Sequence, residues 1–235
     1  MKTKKSQESQ RLLDSVKKKY NDPGELELRI EDLKIGIREA EQGFVEKFPA
    51  GSRLLDIGCA TGRLCFALAR QGYNVTGIDV ARKQIEQAQQ IAAKERVNAT
   101  FLQYEMPTLP FPNASFAAAF MGNVYCYVPH RGSRIAFLEE IARVLYPNGE
   151  VLMSQTVLDS VLENYEGVYD DNYHQFAPNY DALEEGDGFA LGAPYYLHFF
   201  FAEDLITELE ASPFQIVNSV LKEGKIICIL RKQNT

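Results

Sequence analysis

From residue 52 onward, short apolar runs alternate with amphipathic segments, and this alternation constrains the fold more than any other feature of the chain. Strands are predicted at 53–57, 74–79, 99–104, 116–122 and 150–156, and helices at 62–71, 84–94 and 134–145. Such alternation predicts an α/β fold in which right-handed crossovers join parallel strands and helices cover both faces of the sheet. A helix at 203–210 and runs at 215–221 and 225–230 follow, and the short link 222–224 predicts a hairpin that makes the final strand antiparallel.

The N-terminal fifty residues have a different, helical pattern. Leu12, Leu13, Val16 and Tyr20 predict an amphipathic helix over about residues 5–19, and an apolar stripe from 26 to 48 predicts one long helix that Pro49 ends. We therefore expect an N-terminal helical cap at 1–50 and a main domain at 51–235. Residues 154–200 do not join the alternation, and a segment of that length predicts a lid or acceptor-binding insertion before the last strand pair.

Composition excludes several classes of protein. The 235 residues have a net charge of −7 and are 46% apolar, which is typical of a globular protein and disfavours a nucleic-acid binder. No run is long enough to span a membrane, and no secretory signal is expected. The four cysteines form no CxxC pair, so we expect reduced thiols in a cytoplasmic protein and neither a metal site nor disulfides.

The segment Asp56-Ile57-Gly58-Cys59-Ala60-Thr61-Gly62 joins the first predicted strand to a helix. Small residues at alternate positions allow a ligand to approach the backbone amides at the start of that helix. The dinucleotide pattern G-x-G-x-x-G would need glycine at positions 60 and 63, where the chain has Ala60 and Arg63. The loop therefore predicts a nucleotide cofactor, but the nicotinamide register fails at two positions.

Polar and apolar side chains suited to a nucleoside follow the next two strands. Asp79 ends the second strand, where a carboxylate accepts hydrogen bonds from two ribose hydroxyls, and Val80 can pack on an adenine. Glu105 and Met106 follow the third strand, and we expect Glu105 to accept the adenine amine and Met106 to pack beside the ring.

Together these motifs, with Leu109-Pro110-Phe111 and the segment from Glu140 to Glu150, resemble the class I S-adenosylmethionine-dependent methyltransferases, in particular those acting on small molecules. The resemblance covers about residues 50–156 and implies a doubly wound, Rossmann-like, seven-stranded sheet whose last-added strand is antiparallel. It also implies that S-adenosylmethionine is the cofactor and S-adenosylhomocysteine the product. The chain departs from the family pattern at Ala60, Glu105, Ala117 and Asn148.

By that resemblance, the cofactor-binding residues are Asp56, Gly58, Ala60, Gly62, Asp79, Val80, Glu105, Met106, Met121 and Asn123. A sulfonium methyl is already electrophilic, so alignment of the reacting atoms is the main requirement and no residue is obliged to be catalytic. Candidates on the acceptor side are Tyr125, His130, His174 and His198. A general base is required only if the acceptor arrives protonated.

The charge pattern bears on the acceptor. Residues 154–200 contain nine acids and neither Lys nor Arg, which favours a neutral or cationic small molecule, provided that the basic helix at residues 5–19 does not fold across the same pocket. The sequence lacks the Asn/Asp-Pro-Pro-Tyr tetrad of nucleic-acid amino-methylating enzymes. Two other functions stay open, a regulatory protein that binds the cofactor without methyl transfer and, less favoured, a nicotinamide-dependent oxidoreductase. The sequence specifies neither the methylated atom nor the oligomeric state.

Overall fold

The computed structural model describes residues 4–158, 183–189 and 195–233. In these ranges the strands are β1 (Arg53–Ile57), β2 (Asn74–Asp79), β3 (Ala99–Gln103), β4 (Phe116–Gly122), β5 (Leu145–Thr156), β6 (Asp187–Phe189), β7 (Tyr196–His198), β8 (Phe214–Lys222) and β9 (Lys225–Lys232). The helices are α1 (Lys4–Tyr20), α2 (Pro23–Asp32), α3 (Glu39–Val45), α4 (Arg63–Arg70), α5 (Arg82–Glu95), α6 (Arg131–Val144) and α7 (Ala202–Glu210). Short 3₁₀ turns occupy Leu33–Ile35 and Tyr125–Tyr127.

Seven strands form one sheet in the order β3-β2-β1-β4-β5-β9-β8. The five strands from β3 to β5 are parallel, whereas β9 runs antiparallel to both β5 and β8. The predicted doubly wound sheet with an antiparallel final strand is therefore confirmed. The predicted bounds of β1, β2 and β4 are also those of the structure.

The core lies on both faces of the sheet because successive side chains of a strand point to opposite sides. Leu55 and Ile57 of β1 pack with α6 residues such as Phe137 on one face. Leu54 packs on the other face against α4 and α3 residues, including Leu68. The strands of such a sheet are buried on both faces, which explains why they appear in the sequence as continuous apolar runs.

The long helix predicted over 26–48 is wrong. Helix α2 ends at Asp32, a 3₁₀ turn follows, and Gly36 has a φ of 65°, a left-handed conformation that interrupts the helix. The apolar stripe is nevertheless used, because Leu33 and Phe48 pack against the core face formed by α3 and α4. The periodicity identified the buried side of this segment but not the break in its backbone.

Helix α1, predicted over residues 5–19 and now seen at 4–20, packs against the small antiparallel sheet of β6 and β7. Val16 lies in a cluster with Phe189 and Tyr196, and the Tyr196 amide donates a 3.0 Å hydrogen bond to the Ser15 hydroxyl. Residues 159–182 and 190–194 of the predicted lid lie outside the described ranges. No helix in the described part of the chain has the length and apolar character needed to cross a membrane.

A buried ion pair joins α6 to α7. Arg134 donates to both carboxylate oxygens of Glu208, at 2.7 and 3.0 Å, and the Tyr125 hydroxyl donates to the same carboxylate at 2.7 Å. Arg134 and Glu208 are 2% and 4% exposed. A buried charge is tolerated only when it is paired, so each partner depends on the other.

We expect Glu208→Ala to lower the free energy of unfolding by about 3–5 kcal/mol, because it leaves the Arg134 guanidinium buried without its carboxylate. Urea denaturation at pH 7 measures the change. The matched control is Glu210→Ala at an exposed position of the same helix, which should change stability by about 0.5 kcal/mol or less. Similar losses in the two variants would show that the Arg134–Glu208 pair does not support the fold.

Candidate active site

The loop between β1 and α4 turns sharply because three alternate residues have left-handed backbone conformations. Gly58, Ala60 and Gly62 have φ values of 72°, 49° and 93°. The Gly58 and Cys59 amides both donate to the Ile78 carbonyl of β2, at 2.8 and 3.0 Å. The loop is thereby fixed against the carboxyl end of the neighbouring strand.

Protein side chains already fill the space beside the two glycines. A Cβ on Gly58 would lie 2.3 Å from Val124 Cγ2, and one on Gly62 would lie 2.7 Å from the Phe101 ring. The sequence argument attributed these small residues to the close approach of a ligand. The structure shows that packing and backbone conformation also require glycine here, so a bulkier residue would disturb the fold as well as any bound ligand.

Asp79 at the end of β2 is connected to the same loop. One carboxylate oxygen accepts from the Ala60 amide at 3.0 Å and the other from the Ala81 amide at 2.8 Å. Burial raises the pKa of Asp79, and these backbone hydrogen bonds oppose that rise. The carboxylate therefore has a fixed orientation, with the remaining acceptor positions of its two oxygens available to hydroxyl donors.

Asp56 lies in β1, just before the loop, and is 7% exposed. The Cys65 thiol donates to its carboxylate at 3.3 Å. Burial raises the pKa of Asp56 to about 7, against the lowering effects of Cys65 and of the Arg63 charge. The side chain consequently changes its charge close to neutral pH.

A cavity of about 670 Å³ opens beside this loop, within the usual size range for small-molecule sites. Of the predicted cofactor-binding residues, its lining includes Asp56, Gly58, Ala60 and Met121. The opposite wall comes from the N-terminal segment and the β8–β9 turn, and its charged side chains include Arg29, Asp32, Arg38, Glu41, Lys222 and Lys225.

The sequence analysis did not identify those wall residues, since no local motif marks them and they are far from the loop along the chain. The sequence contained one indirect signal of the wall, the charged residue Arg63 directly after the loop. In the structure Arg63 pairs with Glu41 of α3 and donates to the Gly36 carbonyl. The cavity wall contains carboxylates, which can accept from an ammonium group, and guanidinium groups, which can donate to a carboxylate. This combination suits the ammonium and carboxylate of an amino acid.

The other predicted cofactor-binding residues do not line the cavity, namely Gly62, Asp79, Val80, Glu105, Met106 and Asn123. Val80 is buried, and Met106 packs against the same core cluster. Glu105 is exposed and forms an ion pair with Lys17 of α1. Asn123 has a φ of 50°, and its side-chain oxygen accepts from the Thr156 amide at 2.8 Å, which joins the ends of β4 and β5.

The acceptor-side candidates have different environments. Tyr125 donates its hydroxyl to Glu208, and burial raises its pKa well above the usual value, so it remains a neutral donor. His198 Nδ1 lies 2.7 Å from the Asp187 carboxylate. His130 is buried at the start of α6, with neither ring nitrogen hydrogen-bonded to any residue of the described ranges. His174 lies outside the described residues.

No cluster of three or more metal-ligating side chains occurs in the described part of the chain. The four cysteines are buried and form no disulfide, the thiols of Cys59 and Cys65 are hydrogen-bonded to each other, and burial raises the pKa of Cys59 to about 11. These thiols are protonated at neutral pH, because their pKa values lie above it.

Comparison with known proteins identifies the family. Residues 54–149 match the family described as methyltransferase domain. The solved structure of a SAM-dependent methyltransferase from Methanosarcina mazei superposes with a TM-score of 0.70 at 25% identity, covering 84% of this chain and 98% of that one. Residues 54–149 therefore form a methyltransferase domain, and the sheet has the class I S-adenosylmethionine-dependent methyltransferase fold.

Two methyltransferases with named activities are similar to part of the chain. The O-methyltransferase resE of Aspergillus sclerotiorum is 34% identical over 123 residues, which are 51% of this chain and 45% of that protein. A 2-methyl-6-phytyl-1,4-hydroquinone methyltransferase of Synechocystis is 30% identical over 116 residues, 49% of this chain and 35% of that protein. The alignments thus span less than half of either relative.

The left-handed backbone conformation of Ala60 leads to a stability prediction. Ala60→Gly should raise the free energy of unfolding by up to about 1 kcal/mol, because it removes the cost of a left-handed alanine while adding the entropic cost of glycine. The matched control is Ala81→Gly, since Ala81 also donates its amide to Asp79 but has a φ of −87°. That variant should lose at least about 0.5 kcal/mol. Denaturation curves that showed the same sign of change for both variants would contradict the strain at Ala60.

A second prediction concerns pH. The pKa of Asp56 is raised to about 7 in the folded chain and lies near 4 when unfolded, so the folded state binds more protons between these values. Its contribution to stability is present below about pH 4 and is lost as the pH rises to about 7. We expect Asp56→Asn to become progressively more stable relative to the unmodified chain over that interval, measured by urea denaturation at several pH values. A difference independent of pH would show that Asp56 titrates outside this range.

Proposed function

We propose that the chain transfers the methyl group of S-adenosylmethionine to a hydroxyl group of a small-molecule acceptor by in-line displacement. The observation that supports this most is the fixed loop from Gly58 to Gly62, hydrogen-bonded to Asp79 and bordering a cavity of about 670 Å³. The similarity of residues 54–149 to the methyltransferase domain supports the reaction class. The similarity to an O-methyltransferase and to a hydroquinone methyltransferase supports a hydroxylated small molecule.

The residues around the loop fit the chemical groups of this cofactor. Asp79 would accept from the ribose hydroxyls, and Val80 with Met106 would contact the adenine. Glu105 would accept a hydrogen bond from the adenine amine while it also pairs with Lys17. Asp56, Gly58, Ala60 and Gly62 would surround the methionine part, and Met121 and Asn123 would face the sulfonium side.

The cofactor supplies an electrophilic methyl group, and the chain supplies alignment and exclusion of water. Arg29 and Arg38 would meet the methionine carboxylate across the cavity, while Asp56 would meet the ammonium. A hydroxyl acceptor must also lose a proton, which requires a nearby acceptor of that proton. Of the sequence candidates, the histidines fit this role better than Tyr125, whose hydroxyl is committed as a donor to Glu208.

We propose an uncharged acceptor. The sequence argument favoured neutral or cationic molecules only if the basic helix α1 stayed away from residues 154–200. In the structure α1 packs on β7, and the Lys19 ammonium lies 4.2 Å from the centre of the Tyr195 ring. Because the basic side chain of Lys19 lies against Tyr195 of this segment, the charge pattern gives no preference for a cation.

We also propose that the chain consists of a helical cap at 1–50 and a cofactor-binding domain at 51–235. Within that domain, residues 154–200 would bind the acceptor. The cap would close the methionine end of the cavity through α2 and α3.

Calorimetry followed by a methyl-transfer screen tests the function. We expect binding of S-adenosylmethionine and S-adenosylhomocysteine, no binding of NAD, and formation of S-adenosylhomocysteine with at least one hydroxylated acceptor. Cofactor binding without transfer to any acceptor of a broad panel would support the regulatory alternative. Binding of NAD in place of the adenosyl compounds would support the oxidoreductase alternative.

A variant of Asp79 tests the ribose contact. Asp79→Ala should weaken S-adenosylhomocysteine binding by about 1.5–3 kcal/mol, the range for losing hydrogen bonds to a charged group. Adenosine should lose a similar factor, whereas binding of methionine should change little, because only the first two contain ribose. Isothermal titration gives the three values. Equal weakening for methionine would mean that the variant disturbs the loop through Ala60 rather than the ribose site.

A further inference from the structure

We propose that the buried side chains of His130 and Arg134, with the partly exposed Glu184, form a polar recess that binds a hydroxyl group of the methyl acceptor. The identity of the ligand as the methyl acceptor rests on the proposed function. The recess itself is inferred from contacts, burial and backbone strain.

The three side chains face one another at the start of α6. Arg134 is one helical turn after His130, and its amide donates to the His130 carbonyl at 3.0 Å. Glu184 lies beside both, with one carboxylate oxygen 3.6 Å from His130 Nδ1 and the other 3.8 Å from Arg134 Nη2. The backbone amide of Arg131 holds this second oxygen at 2.6 Å.

Hydrogen-bonding atoms in this recess are unmatched. Both ring nitrogens of His130 and Nη1 of Arg134 have no hydrogen-bond partner within the described ranges, although both residues are only 2% exposed. Buried polar groups are nearly always paired in folded proteins, and exceptions need an explanation. A bound polar group that reaches these atoms provides that explanation.

Backbone strain at His130 is an independent observation. The residue has a φ of 66° and a ψ of 133°, a conformation that non-glycine residues rarely adopt. Its side chain makes no capping hydrogen bond to α6, so helix initiation does not account for the strain. Strained residues of this kind concentrate at ligand sites, where the surrounding structure holds a side chain in position.

The charges select the chemical class of ligand. Arg134 is already neutralised by Glu208, and Glu184 is close to it, so a carboxylate or phosphate ligand would meet two like charges. An ammonium group has no lone pair to accept from Arg134 Nη1. A hydroxyl can accept from Arg134 and donate to a neutral imidazole nitrogen. Glu184 beside Nδ1 favours the tautomer with its proton on Nδ1, which leaves Nε2 as the acceptor.

His198 belongs to a cluster whose polar groups pair with one another, unlike His130. The Asp187 carboxylate accepts from the Tyr196 hydroxyl at 2.6 Å and lies 2.7 Å from His198 Nδ1. Burial opposes ionisation of Asp187, but these partners outweigh it and its pKa lies below the usual value. This cluster is internally paired, so it gives no comparable indication of a ligand.

The recess lies at the sheet edge where the cofactor site is proposed. Tyr125, in the turn after β4, is hydrogen-bonded to Glu208 and stacks on Phe200, with ring centres 5.7 Å apart. The Arg134 guanidinium lies 5.3 Å from the centre of the same Phe200 ring, and Phe200 bridges to Val157 just beyond β5. Ligands of doubly wound sheets bind outside the carboxyl ends of the strands, which here are those of β4 and β5.

Ring-nitrogen NMR of the full chain labelled with ¹⁵N-histidine tests the recess without requiring activity. The chain has three histidines, so His130→Asn identifies the His130 signals by their loss, and asparagine tolerates a positive φ. The probes are phenol, toluene, benzoate and benzylamine, which differ mainly in the polar group. We expect phenol to shift the His130 signals and to bind about tenfold or more tightly than the other three.

The variants separate a hydroxyl site from general disturbance. His130→Asn should weaken phenol binding about tenfold or more and leave S-adenosylhomocysteine binding within about twofold. The control Arg131→Gln alters a half-exposed charge next to the recess and should leave phenol binding within about twofold. If His130→Asn does not fold, the shift of the ring signals in the unmodified chain and its order among the four probes decide the question.

Equal binding of phenol and toluene would overturn the proposal. So would the absence of a His130 shift at every phenol concentration that leaves the fold intact, or phenol binding unchanged in folded His130→Asn. The proposed function fails separately. If phenol shifts the His130 signals but no acceptor is methylated, the proposed recess is supported and the proposed methyl transfer is contradicted. If an acceptor is methylated but phenol does not shift the His130 signals, the methyl transfer is supported and the recess is contradicted.

Discussion

Parallel hydrogen bonding of β1 to both β2 and β4 determines where every proposed functional element of this methyltransferase fold lies. Ile57, at the end of β1, is in register with Ile78 of β2 on one side and Met121 of β4 on the other. Since parallel strands direct their carboxyl ends to one edge, the loop after β1, Asp79 and Asn123 must lie along that edge. The glycine conformations and the Asp79 hydrogen bonds then refine an arrangement that strand pairing has already imposed.

The N-terminal segment completes the site from outside the sheet. The Thr61 hydroxyl donates to the Arg29 carbonyl at 2.7 Å, and Arg63 pairs with Glu41, so α2 and α3 are fastened to the loop itself. Helix α1 contacts the other side through the Tyr20–Tyr127 hydroxyl pair at 2.7 Å. Helices α1, α2 and α3 therefore contact both the proposed cofactor region and the proposed acceptor region, which couples the order of these helices to both.

The sequence predicted the sheet well because its strands are buried on both faces, and long-range pairing does not alter such apolar runs. It placed Asp79 at a strand end for the same reason. It missed the break at Gly36, since the apolar stripe continues across the break and only the backbone changes direction. It also missed Arg38 and Glu41 on the cavity wall, because their position depends on packing between segments far apart in the chain.

The buried position of Arg134 could have been predicted from the sequence. It lies on the same helical face as Phe137, Leu138 and Ile141, which are fully buried, so the helical spacing alone places a charge inside the core. Its partner Glu208 belongs to another helix, and no local rule connects the two.

Pairing inside the protein distinguishes structural from functional polar groups at this edge of the sheet. Asp79 and Asp187 are each held by two or more donors from the chain, and Glu208 binds both Tyr125 and Arg134. Those groups stabilise the fold, although Asp79 retains acceptor positions for a ligand. His130 combines a strained backbone with ring nitrogens that have no hydrogen-bond partner among the residues the structure describes. We proposed that a hydroxylated methyl acceptor supplies this contact, because a hydroxyl can both accept a hydrogen bond from Arg134 and donate one to His130.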